Sequence, residues 1–168
     1  MKYLDESGFG LSLPPSYSWS LKGQQSKVPT RWGSAGRINL LGTLSLQGDE
    51  KQLEYRLLEG SCRKSDVVAY LDARARQAWH TTTFTVVVLD NATFHRAKEV
   101  QDKRLSWEEQ GLYLRYLPSY SPHLNLVEGV WRSLKGFLMP RRYYDSLTDL
   151  RLALLSALAL SQAVELQA

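Results

Sequence analysis

The 168 residues are enough for one domain of ordinary size. Hydrophobic residues make up 43% of the chain and charged residues 23%, which is typical of globular proteins and excludes a disordered or fibrous chain. Cys62 is the single cysteine, so a disulfide framework and a paired-cysteine zinc site are excluded and a reducing compartment is indicated. The longest nearly apolar run, residues 152–160, is too short to cross a bilayer, and acids at positions 5 and 6 argue against a signal peptide.

Positive charge is concentrated in two stretches of the chain. The net charge is +4, from 21 basic and 17 acidic residues. Residues 22–37 and 129–144 each hold four basic residues and no acid: Lys22, Lys27, Arg31 and Arg37 in the first, and Arg132, Lys135, Arg141 and Arg142 in the second. Trp19 and Trp32 lie in or near the first stretch, a mixture that favours contact with a nucleic-acid backbone. A solvated surface is the alternative for both.

The first half of the chain is predicted to contain mainly strands. Alternating hydrophobic residues predict a hairpin around Gly48 and Asp49, and the Gly/Ser/Pro-rich sequence before it predicts a loop. The predicted elements are strands at residues 1–5, 37–46 and 53–57 and a helix at 64–79, with Val67, Val68, Leu71, Ala75, Ala78 and Trp79 on its buried side.

The second half alternates strands with helices. The β-branched run at residues 83–90 predicts a strand covered on both faces. A helix at 95–110, a strand at 112–117 and a helix at 124–138 follow. Ser146 and Asp149 resemble a capping box, so a last helix is expected over residues 145–168. The whole pattern predicts an α/β domain with a mixed five-stranded sheet flanked by helices.

Three acids stand where such a sheet could bring them together. Asp5 and Asp90 each end a predicted strand, the position where α/β sheets place ligands, although either could simply form a turn or cap a helix. Glu128 borders the apolar stripe of its predicted helix, so it could lean toward the sheet. It could equally be the third residue of a capping box that begins at Asn125.

A cluster of three carboxylates would serve phosphodiester chemistry. Two Mg²⁺ ions can activate the oxygen that attacks a phosphate and stabilise the oxygen that leaves it. Mg²⁺ prefers oxygen ligands, and a few carboxylates leave its other positions to water and phosphate.

Several segments make the chain recognisable. They are LDESGFGLSLPP at 4–15, SWSLKGQQSKVPT at 18–30, VVLDNATFHRAKEV at 87–100 and LRYLPSYSPHLNLVEGVWRSLK at 114–135. With them the chain resembles the catalytic domain of DDE transposases from bacterial insertion sequences of the mariner superfamily. Thirty-seven residues separate Asp90 from Glu128, close to the spacing in that family. Leu126 stands where relatives usually have proline.

The resemblance implies a ribonuclease H-like, retroviral integrase-like fold. It implies that Asp5, Asp90 and Glu128 bind two Mg²⁺ or Mn²⁺ ions and catalyse DNA strand cleavage followed by 3′-hydroxyl strand transfer. The implied partners are transposon ends and target DNA, with a possible homodimer on DNA, in the bacterial cytoplasm. Relatives carry a helix-turn-helix region before this domain, and here four residues precede Asp5, so the chain is expected to be a single catalytic domain without that region.

Other functions and residues remain open at this point. The chain could be an inactive or domesticated transposase fragment that binds DNA or protein, or another ribonuclease H-like nuclease. Asn91 could orient Asp90, contact phosphate or form a turn. His95 could approach the scissile phosphate or be a surface or capping residue. Asn125 is expected to cap its helix rather than touch substrate.

Overall fold

The structure, a computed structural model, describes residues 1–11, 21–24, 36–47, 50–58, 60–118, 121–138 and 144–166. Within these residues the chain forms six strands and four helices, none of them long and apolar enough to cross a membrane. The strands are β1 (Lys2–Gly10), β2 (Arg37–Gln47), β3 (Glu50–Leu58), β4 (Thr85–Leu89), β5 (Leu112–Tyr116) and β6 (Val164–Glu165). The helices are α1 (Lys64–Thr81), α2 (Lys98–Glu109), α3 (Val127–Leu138) and α4 (Leu147–Leu160).

The strands form one mixed sheet with β1 near its centre. The order across the sheet is β5-β4-β1-β2-β3-β6. The predicted hairpin is confirmed, because β1, β2 and β3 pair antiparallel in sequence order. The strands β4 and β5 run parallel to β1, as expected where helices connect successive strands. The central strand β1 therefore has neighbours on both edges.

Two hydrophobic layers cover the two faces of the sheet. Alternate residues of β1 point to opposite faces. Phe9 packs with residues of α3 and α4, and Tyr3 packs against the same layer. Leu4 packs with residues of α1 and α2 on the other face. By this alternation Asp5 lies on the face that α3 covers, and Glu6 lies on the face that α1 and α2 cover.

The sheet has one more strand than the sequence predicted. The chain from 145 to 168 was expected to be helical, but α4 ends at Leu160. Gln162 then takes a positive φ of 55°, which ends the helix, and Val164 pairs with Glu54 of β3. The predicted start of α4 is confirmed, since the Ser146 hydroxyl accepts a hydrogen bond from the Asp149 amide at 3.1 Å.

Several predicted elements are shifted in the structure. The strand β1 continues five residues past Asp5 to Gly10, because β2 supplies pairing partners along its whole length. The helices α2 and α3 begin three residues later than predicted, at Lys98 and Val127. Trp79, which was expected on the buried side of α1, is 62% exposed, and Tyr70 and Arg74 are buried instead.

Candidate active site

Asp5 lies on β1, and Asp90 directly follows the neighbouring parallel strand β4. In the register of β1 with β4, Lys2 lies opposite Val87 and Tyr3 opposite Val88. The same register continued for two residues places Asp5 beside Asp90, which directly follows β4. Neighbouring strands are about 4.8 Å apart. Asp5 is therefore inside a long strand rather than at its end, and Asp90 is at the carboxyl end of its strand, as predicted.

The carboxylate of Asp90 is held by two hydrogen bonds on one oxygen. Its Oδ1 accepts from the Ala92 backbone amide at 2.9 Å and lies 2.7 Å from His95 Nδ1. The bond from His95, aided by the Ala92 amide, keeps the pKa of Asp90 below its ordinary value against the effect of partial burial. Among the described residues no donor reaches Oδ2. One oxygen of Asp90 is thus committed to the protein and the other is open to a ligand.

Two contacts fix the first turn of α3, which carries Glu128. Asn125 Nδ2 donates to the Leu4 carbonyl oxygen at 3.3 Å, next to Asp5. One turn after Glu128, the ring of Trp131 lies over Gly42, which is the register partner of Asp5 on β2. A Cβ on Gly42 would be 2.8 Å from Trp131 Cη2, so the absence of a side chain there lets α3 approach the sheet. Glu128, half-buried, lies between these two anchors.

The side chain of Asn125 does not make the capping box that was one alternative for this helix. A capping Asn125 would accept a hydrogen bond through Oδ1. Here Oδ1 is buried and has no partner among the described residues, while Nδ2 bonds to β1. The side chain of Asn125 therefore joins α3 to the central strand instead of capping the helix, which leaves Glu128 without that local structural role.

Burial and the charges of other acids both shift the pKa of Asp5. Burial raises the pKa of Asp5 to about 7, with further contributions from the negative charges of Glu6, Asp90 and Glu128. Oxygen donors of this kind fit a hard divalent cation, which would offset their mutual repulsion. In the part of the chain that the structure describes, however, no three acidic, histidine or cysteine side chains converge closely enough to hold an ion as they stand.

A protein-family model described as DDE superfamily endonuclease matches residues 1–151. The chain belongs to this family. It is also 29% identical over 150 residues to the insertion element IS630 uncharacterized 39 kDa protein of Shigella sonnei, a match that covers 88% of this chain and 41% of that protein. The chain thus spans less than half the length of this relative.

Solved structures of the Mos1 mariner transposase share the fold. The Mos1 mariner paired-end complex with Mn matches with a TM-score of 0.68 at 19% identity, covering 94% of this chain and 47% of that one. The catalytic domain of Mos1 mariner transposase matches with a TM-score of 0.60 at 16% identity, covering 94% and 69%. The predicted ribonuclease H-like fold and the resemblance to a DDE transposase catalytic domain are therefore confirmed.

Only some of the basic residues predicted to contact DNA lie in the part of the chain that the structure describes. Lys22 and Arg132 are exposed. Arg37 is exposed at the start of β2, and its guanidinium lies over Gly8, where a Cβ would collide with it. Lys135 Nζ lies 5.5 Å from the centre of the Phe9 ring, a cation–π contact beside β1. The remaining predicted residues lie outside the described part of the chain: Lys27, Arg31, Arg141 and Arg142.

The structure places the two polar residues that follow Asp90, Asn91 and His95, in contacts that local sequence did not predict. Asn91 Nδ2 donates to the Leu117 carbonyl at 2.7 Å, so it joins the loop after β4 to the end of β5 and does not bond to Asp90. His95 is fully buried, so the expectation of a surface or capping histidine is wrong, and the ring is not exposed to a phosphate.

Glu6 is a fourth acid at the site that sequence reasoning missed. It is half-buried, and its Oε2 has no partner among the described residues. Burial raises its pKa, the charge of Asp90 raises it further, and His95 and Arg37 oppose the shift. Sequence alone gave no signal for this coupling, since neighbouring strand residues face opposite sides of a sheet and Glu6 lies on the side that α1 and α2 cover.

Proposed function

We propose that this chain is the catalytic domain of a DNA transposase, with Asp5, Asp90 and Glu128 as ligands of two Mg²⁺ or Mn²⁺ ions. The observation that carries the proposal is the placement of these acids: two on adjacent parallel strands and the third on a helix anchored to the same strand. Membership of the DDE endonuclease family supports the same assignment.

The proposed reaction is DNA strand cleavage followed by transfer of the freed 3′-hydroxyl to target DNA. Two divalent ions, when bound, would activate the attacking oxygen and stabilise the leaving oxygen. The carboxylates of Asp5, Asp90 and Glu128 would hold them, with Oδ2 as the available oxygen of Asp90. The acids supply no covalent nucleophile in this proposal; the chain positions the reacting groups.

Basic side chains near the site would hold the DNA backbone. Arg132 and Lys135 are one and two turns along α3 from Glu128, and Arg37 lies over β1 two residues past Glu6. Such contacts position DNA without reading its sequence. Similar solved structures include a Mos1 paired-end complex with a left transposon end and a Mos1 strand transfer complex, which supports transposon ends and target DNA as partners. A homodimer on that DNA and a cytoplasmic location belong to the same proposal.

A plasmid-nicking assay tests the proposed catalysis. The wild-type chain is expected to nick supercoiled DNA with Mg²⁺ or Mn²⁺, and Asp90→Asn is expected to abolish nicking because the amide is a poor ligand for a hard cation. Asp102→Asn, the same change on the exposed surface of α2, is the matched control and should nick like wild type.

The alternatives predict different results in this assay. Wild-type protein that binds DNA but never nicks it would identify a binding module and contradict the proposed catalysis. Equal nicking by Asp90→Asn and wild type would remove Asp90 from the site. With a substrate that carries the element's ends, cuts at those ends and joined products indicate a transposase, and scattered cuts indicate a general nuclease.

A further inference from the structure

His95 lies in the loop between β4 and α2 and is held there from several sides. It is fully buried. Its backbone amide donates to the Ala92 carbonyl at 3.0 Å, and the Tyr116 hydroxyl donates to the His95 carbonyl at 2.9 Å. The ring meets Phe94 edge-on, with centroids 4.5 Å apart. The imidazole therefore has little freedom to move.

This fixed ring determines how the carboxylate of Asp90 can turn. His95 Nδ1 and the Ala92 amide both bond to Oδ1, at 2.7 and 2.9 Å. Two donors on one oxygen restrict rotation of the carboxylate, because rotation that moved Oδ1 would break both bonds. The orientation in which Oδ2 is free is thus stabilised before any ligand arrives.

We infer that His95 is a positioning residue that holds Asp90 Oδ1 so that Oδ2 is presented to a divalent cation. The inference rests on the proposed function, because it assumes that Asp90 is a metal ligand. Hydrogen bonds to a ligating carboxylate orient it, and their loss typically costs about 10- to 100-fold in metal affinity. The loop between Asp90 and His95 then has a functional reason for its compact shape.

Two substitutions separate this role from packing alone. His95→Leu keeps an apolar side chain in the buried space but removes the donor. His95→Asn has an amide nitrogen at a position similar to Nδ1 and can still donate to Asp90. Mn²⁺ affinity is measured by calorimetric titration of each protein without DNA, and thermal unfolding without metal records the effect on stability.

The expected result is a loss of about 10- to 100-fold in Mn²⁺ affinity for His95→Leu, with His95→Asn within a few-fold of wild type. The inference would be overturned if His95→Leu bound Mn²⁺ as tightly as wild type does. It would also be overturned if His95→Leu and His95→Asn lost Mn²⁺ affinity to the same extent. Asp90→Asn tests the proposed metal site separately from the role of His95. If this variant binds Mn²⁺ as tightly as wild type does, or if wild type binds no Mn²⁺, the proposed metal site is wrong and the positioning role of His95 is wrong with it.

A second measurement on the wild-type protein decides the case if His95→Leu does not fold. The side-chain Nδ1–H of His95 is followed by NMR while Mg²⁺ is added. Binding of the ion to Oδ2 withdraws charge from Oδ1, so the resonance is expected to shift as the site fills. Saturation of the metal site without a shift of this resonance would contradict the inference.

Discussion

The buried carboxyl group of Asp5 makes the stability of the chain depend on pH. Its pKa is about 7 in the folded chain against 3.8 ordinarily, first because of burial and then because of nearby acids. Between these values the folded chain keeps a proton that the unfolded chain has lost, so the free energy of unfolding falls as pH rises from about 4 to about 7. Above pH 7 Asp5 is ionised in both the folded and the unfolded chain, so the full loss in the free energy of unfolding remains.

The substitution Asp5→Asn is expected to remove this cost. The variant should match wild type in thermal unfolding near pH 4 and exceed it at pH 8, by at most about 4 kcal/mol for a shift of roughly three pKa units. Mg²⁺ should raise the unfolding temperature of wild type at pH 8 and not that of the variant, since the ion binds the folded state. Asp102→Asn serves again as the control. A variant less stable than wild type at pH 8 would contradict this account.

At the residue level the sequence allowed Asp5, Asp90 and Glu128 to be proposed as metal ligands, but it did not predict their surroundings. The proposal came from predicted strand ends and a family motif, although Asp5 lies inside β1 and not at its end. The bond from His95 to Asp90 and the bond from Asn125 to Leu4 depend on which loop packs on which strand. No local pattern records such contacts.

Among the elements, the position of α3 on the sheet depends in part on the close approach of Trp131 to Gly42. Gly42→Ala is expected to push the Trp131 ring away from β2 and destabilise the chain by about 1–3 kcal/mol, as overpacking of a core does. Because the same contact sets the height of Glu128 above β1, Mn²⁺ affinity should fall as well. Urea unfolding and metal titration measure the two effects.

A double-mutant cycle identifies the contact as the cause. Trp131→Phe leaves space over Gly42, so the combined variant should lose less stability than the sum of the two single changes. Strict additivity would show that Gly42 and Trp131 act independently and that Gly42 does not set the position of α3.

Long and strongly patterned elements were predictable, and elements made by tertiary pairing were not. The run that forms β4 is buried in its last three residues, Val87, Val88 and Leu89, as its composition indicated. The two residues of β6 pair only because β3 lies beside them. On α1 the buried Arg74 pairs with Glu54 of β3, although the charge of each side chain alone would predict an exposed position. Burial raises the pKa of Glu54, but its bonds to Arg74 and Lys2 outweigh this effect and lower it.

For the whole molecule, the fold places Asp5 beside the end of β4, where Asp90 lies, although the two acids are far apart in the chain. The strand order places β1 between β4 and β2, so Asp5 has Asp90 on one side and Gly42, under Trp131, on the other. The α/β class followed from the sequence pattern, and the ribonuclease H-like fold from the family motifs. The sheet order itself required the structure, because pairing between distant strands leaves no periodic signal in sequence.

The most direct test of the shared metal site is a crystal structure of the protein grown with Mn²⁺, with the ions located by anomalous scattering. The account predicts Mn²⁺ bound by oxygens of Asp5, Asp90 and Glu128, with Asp90 contributing Oδ2, at about the 2.0–2.2 Å typical of small divalent cations. Manganese found only at other residues, or Glu128 turned away from an ion held by the two aspartates, would contradict it.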